Sequence, residues 1–75
     1  MKITEAISRR IKDLCIERNL TVDMVIRTTD ASPTAVAMVI SGNDEIIMID
    51  VMERICDTLG MSLKEFFDCD LFAHF

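Results

Sequence analysis

The 75-residue chain has no tryptophan and no tyrosine, and only two glycines, one proline and one histidine. So few turn-forming residues leave little room for loops. That excludes turn-rich sandwiches and barrels and favours helices. The single histidine, His74, lies almost at the end of the chain. The three cysteines, Cys15, Cys56 and Cys69, are odd in number and have no C-x-x-C spacing. A zinc site needs clustered Cys and His ligands, so no metal site and no cofactor are expected. There is no Ser-His-Asp arrangement, no glycine-rich phosphate loop and no carboxylate pair in an apolar setting, so the chain does not read as an enzyme. The thiols read as small apolar residues kept reduced, which implies a cytoplasmic location. Polar residues interrupt the first twenty positions, so no signal peptide is expected. No apolar run is long enough to cross a bilayer.

What the chain has instead is apolar bulk and unevenly placed charge. Hydrophobic residues make up 51% of it. That is enough for one core in one domain, 1–75, with some apolar surface left over for a partner. The net charge of −5 is not spread evenly. Residues 1–20 hold Lys2, Arg9, Arg10, Lys12 and Arg18 against Glu5, Asp13 and Glu17, whereas residues 21–75 hold three bases against ten acids. The first helix therefore carries the basic cluster. It reads either as a solvated face partly paired with Asp13 and Glu17 or as a set of phosphate contacts.

The pattern predicts five short helices. The first spans roughly residues 5–18, with Thr4 as N-cap and Ile7, Ile11, Leu14 and Cys15 as one apolar stripe. Asn19 suits a left-handed stop. The second starts from Thr21 as N-cap and ends near Thr29, and Asp30 is expected to make a tight turn at positive φ. Ser32 followed by Pro33 is the clearest start signal in the chain, a capping hydroxyl before a proline at the first helical position. That third helix runs inward on Val36 and Val39 and stops at Gly42. Two short helices joined by so tight a turn, about residues 21–41, form a helix-turn-helix. The fourth helix runs from about Met48 to Leu59 with Ile49, Met52, Ile55, Cys56 and Leu59 facing in, and Gly60 ends it. Ser62 and Glu65 make a capping box for the fifth, which with its tail covers 62–75. Leu71, Phe72 and Phe75 are too apolar for water and are expected to dock on the domain or on a neighbour.

Three segments, RIKDLCIERNLT (Arg10 to Thr21), DASPTAVAMVISGN (Asp30 to Asn43) and ICDTLGMSLKEFFD (Ile55 to Asp68), resemble phage-repressor-like helix-turn-helix regulators of the Cro/C1 or XRE type. The resemblance covers about residues 5–72. It implies an all-α, compact five-helix fold like the lambda repressor domain and a DNA-binding regulator of transcription, often a dimer on a two-fold operator. It also implies that the second helix braces the third and that the third enters the major groove. Carried over by position, the recognition helix is Ser32 to Ile40, and Ser32, Pro33, Thr34 and Ala37 face bases. Thr21, Val22 and the loop from Asn43 to Ile46 lie against the DNA backbone. Arg10 and Arg27 are the candidate phosphate partners.

The chain departs from the family pattern where it bears on DNA. Relatives usually carry a glutamine at the Val22 position, and valine forms no such hydrogen bond. The recognition helix holds no Arg, Lys, Asn or Gln to read base edges, only hydroxyls and methyl groups. Relatives commonly place Lys or Arg and then Pro after the glycine, where this chain has Asn43, Asp44, Glu45, Ile46 and Ile47. Across residues 21–48 Arg27 stands alone against Asp23, Asp30, Asp44 and Glu45, and phosphate contacts supply most non-specific affinity. Many relatives pair an Arg at the Cys15 position with a Glu at the Ile40 position, and here both are apolar, a joint exchange that leaves no charge stranded. An alternative function follows, in which the scaffold has become a protein-binding or self-associating regulator, like an anti-repressor. Its contact patch would be Met38, Ile40, Ile46, Ile47, Phe72 and Phe75.

Overall fold

The computed structural model describes residues 1–42 and 47–75. Among these residues there are five α-helices, α1 (Ile3–Glu17), α2 (Val22–Thr28), α3 (Pro33–Ser41), α4 (Ile49–Leu59) and α5 (Leu63–Phe67), followed by a single 3₁₀ turn (Asp70–Phe72), and no strand. The helical fold is the one expected. α3 is the hub, packing on α1, α2 and α4. α4 in turn packs on α2 and α5, and the 3₁₀ turn closes against α1.

The helix ends follow from capping chemistry. The Met24 N–H donates to the Thr21 hydroxyl at 3.1 Å, and the Ala35 N–H is 3.5 Å from the Ser32 hydroxyl, with Pro33 in the first turn of α3. Each satisfies an amide that the helix itself leaves unpaired. At α5 the Glu65 N–H donates to the Ser62 hydroxyl at 3.1 Å and the Ser62 N–H donates back to the Glu65 carboxylate at 3.2 Å, a complete capping box. Asn19, Gly42 and Gly60 end α1, α3 and α4 in the left-handed region, at φ 55°, 72° and 75°.

Four local expectations are corrected. α1 begins at Ile3 behind Lys2, which provides no side-chain cap, so Thr4 is inside the helix. Asp30 is not at positive φ; the corner turns through Thr29 in the extended region (φ −69°, ψ 134°). Ile49 is 57% exposed, because it sits in the first turn of α4 beyond the edge of the core, and Val51 takes its place inside. On α3 the inward pair is Val36 and Ile40, four residues apart, while Val39 is only half-buried.

The core joins all five helices. Ile7, Ile11, Leu14 and Cys15 of α1 meet Val25, Val36 and Ile40 of the helix-turn-helix, then Met52, Ile55, Cys56 and Leu59 of α4 and Phe66 of α5. Phe66 is the largest fully buried side chain. The Phe72 ring packs on it at 6.0 Å and on Phe67 at 4.8 Å, so the tail docks on its own domain. Phe75 lies 6.5 Å from Phe72 and stays 59% exposed.

Candidate nucleic-acid interface

α3 is amphipathic only in the geometric sense. Both faces are apolar or small, and packing decides which is sealed. Val36 and Ile40 are buried, whereas Ser32, Pro33, Thr34, Met38 and Ser41 are exposed and Ala37 is half-buried. Positions 34, 37, 38 and 41 repeat at helical spacing, so they form one continuous outward stripe. Thr21, at the start of α2, is also exposed, and Val22 is half-buried. The arrangement leaves one flank of α3 open to a groove-sized partner.

The orientation of that flank is fixed at both ends. At the C-terminal end the buried Ser8 hydroxyl donates to the Ile40 carbonyl. Gly42 approaches α1 so closely that an added Cβ would lie 2.9 Å from the Ser8 Cβ and 3.3 Å from the Thr4 carbonyl oxygen. At the N-terminal end, Arg54 of α4 donates to the Asp30 carbonyl at 3.1 Å and to its carboxylate at 2.8 Å. One turn further along α4, the Thr58 hydroxyl meets that of the buried Thr29 at 3.0 Å. Neither set of contacts follows from the sequence pattern, although Gly42, Thr29 and Asp30 are expected at these turns. Ser8 carried a signal all the same: it interrupts an apolar stripe (Ile7, Ile11, Leu14, Cys15), and a polar residue at such a place needs a partner.

Two of the expected cations have partners within the domain. Arg10 donates to the Phe66 carbonyl at 2.8 Å and the Glu65 carbonyl at 3.1 Å, with its guanidinium 5.9 Å from the Phe66 ring centre. It thus caps the negative end of α5 and ties that helix to α1. Arg27 pairs with Asp23 at 2.9 Å on the same face of α2, both well exposed. Such a pair is weak and readily exchanged for a phosphate. Asn43 and Ile46, with Asp44 and Glu45 between them, lie outside the described residues.

The expected protein-contact patch is only partly assembled. Ile40 is 3% exposed and belongs to the core, because α3 turns its Val36 face rather than its Met38 face inward. Met38 and Ile47 are exposed, and both border an apolar cleft with Ile7, Val39, Met48 and Met52. Phe72 and Phe75 belong to the separate aromatic cluster beside α5.

The two buried thiols are poor nucleophiles. All three cysteines are free. Burial pushes the Cys15 thiol up, and burial, reinforced by the neighbouring Asp57 carboxylate, pushes Cys56 up to about 11. Both remain protonated at neutral pH, and the thiol form is a poor nucleophile. No group of metal-ligating side chains is found among the described residues. No helix among them is long and apolar enough to cross a membrane.

Comparisons with curated proteins and with solved structures find no match. A comparison with known families matches residues 10–71 to the Cro/C1-type HTH DNA-binding domain. That span holds both helices of the corner, the α4 side chains that pin it and the whole of α5; the chain belongs to the family of Cro/C1-type helix-turn-helix DNA-binding domains.

Proposed function

We propose that the chain is a transcriptional regulator of the XRE type, acting in the cytoplasm as a homodimer that places α3 in the major groove of double-stranded DNA. The observation that carries this is the outward stripe of α3, left open by a corner that is fixed at both ends. Ser32 and Thr34 present hydroxyls to base edges or phosphates. Pro33 and Ala37 present apolar surface of a size that suits thymine methyls. Thr21 sits where the start of α2 meets the backbone, and Arg27, released from Asp23, supplies a phosphate contact. A two-fold dimer would read half-sites about 34–36 Å apart.

A surface with so few long polar side chains discriminates weakly between bases, so much of the affinity must come from phosphates and fall with salt. A fluorescence anisotropy titration against genomic DNA fragments at low salt tests the reading. Saturable binding that weakens with added salt is expected; no detectable binding overturns it.

A second reading rests on a different observation. Arg27 and Arg54 are neutralised by Asp23 and Asp30, and the exposed Met38 and Ile47 border one apolar cleft. That face suits a protein surface, a second copy of the chain included. Light scattering after size exclusion distinguishes the self-associating form: a dimer that dissociates in Met38→Lys supports it, and a monomer in both chains counts against it.

A further inference from the structure

We propose that Arg9 and Lys12 of α1 form a phosphate clamp at the C-terminal end of α3, gripping the DNA backbone beside the major groove that α3 enters. The proposal rests on the DNA-binding reading above and says which cations would hold the backbone. α1 and the end of α3 enclose an open polar groove lined by Glu5, Ser8, Arg9, Lys12, Ser41 and Gly42. Ser41 belongs both to this groove and to the outward stripe of α3, so the candidate base-facing surface runs directly into it. α3 has nine residues, about 13 Å at a rise of roughly 1.5 Å each. The major groove is about 12 Å wide. A helix of that length with its first turn against bases brings its last turn to the phosphate wall. There the chain presents two cations, both exposed and neither in an ion pair among the described residues.

Four other cations are less suited to this place. Arg10 is held by the α5 carbonyls, and Arg54 is held by Asp30. Lys64 lies on α5, and Arg18 follows the far end of α1, so neither borders the groove. Glu5 lines the same groove and weakens its field, leaving a net single positive charge among the lining side chains. This adds a phosphate grip on α1, next to the exit of α3, to the contact that Arg27 supplies from α2.

The test is the salt dependence of binding to a fluorescein-labelled 30-base-pair duplex, measured by anisotropy over a series of KCl concentrations. Each phosphate contact contributes about 0.9 to the slope of log K against log salt. The Arg9→Ala/Lys12→Ala double variant should lose about 1.8 from that slope for each bound protomer, about 3.6 for a dimer. Arg9→Lys should retain the slope, Lys64→Ala should leave it unchanged, and Glu5→Gln should tighten binding at low salt. A double variant that binds with the wild-type slope overturns the clamp while leaving DNA binding intact. Wild-type protein that shows no binding at any salt overturns both readings together.

Discussion

The two ends of α3 are held by different physics. At its C-terminal end, Gly42 and the buried Ser8 bring α3 against α1 with almost no space between them. At its N-terminal end, the corner is held by polar ties from α4: an Arg54–Asp30 pair that is largely in solvent and a half-buried pair of threonine hydroxyls. Close packing fixes a position steeply, because small displacements forfeit many contacts or create overlaps. An exposed ion pair fixes it softly, because water and salt compete for both partners. The contrast suggests that α1 sets where α3 lies and that α4 trims the angle of its first turn, the turn closest to any base.

This contrast can be broken most forcefully at Gly42. Alanine there must adopt a left-handed backbone at φ 72° and push its Cβ into Ser8. Strain of about 1–2 kcal/mol and overpacking of about 1–3 kcal/mol together predict a loss of about 3 kcal/mol in urea denaturation. Ser8→Ala comes next, since it removes a buried donor and leaves the Ile40 carbonyl without it; about 1–2 kcal/mol should be lost in the same assay. Gly60→Ala calibrates the first result. Gly60 has a similar φ of 75° but no neighbour within 4 Å, so backbone strain alone remains, about 1–2 kcal/mol. If Gly42→Ala and Gly60→Ala cost the same, the close approach of α3 to α1 has no energetic weight. The smallest effect belongs to the corner: Arg54→Ala should cost less than about 1 kcal/mol, and a double-mutant cycle with Asp30→Ala should give a coupling that shrinks as salt is raised. A large, salt-independent coupling there would erase the distinction between the two ends.

Much of this fold was legible because caps and turns are local. Thr21, Ser32, Ser62 with Glu65, Asn19, Gly42 and Gly60 each act through their own backbone or through residues three positions away, so the sequence alone locates them. The phase of α3 was not legible. Its residues are apolar or small on every side, so Val36 with Val39 and Val36 with Ile40 fit helical spacing equally well. Only the packing of α1 and α4 selects Ile40 for the core and leaves Met38 outside. The partners of Arg10 were hidden for a related reason. They are the carbonyls of Glu65 and Phe66, more than fifty positions along the chain. No periodicity in α1 distinguishes an arginine facing DNA from one that caps another helix. Ile49 matched the inner stripe of α4 by spacing, yet the core ends before the first turn of that helix does.

The central claim is that the outward flank of α3 is the surface this domain offers to DNA. Amide chemical-shift mapping of ¹⁵N-labelled protein, titrated with a short duplex at low salt, tests it residue by residue. The account predicts the largest shifts at Thr21, Ser32, Thr34, Ala37 and Ser41, with α5 and the tail from Phe67 to Phe75 nearly still. Shifts concentrated in that tail, with α3 unmoved, would contradict it.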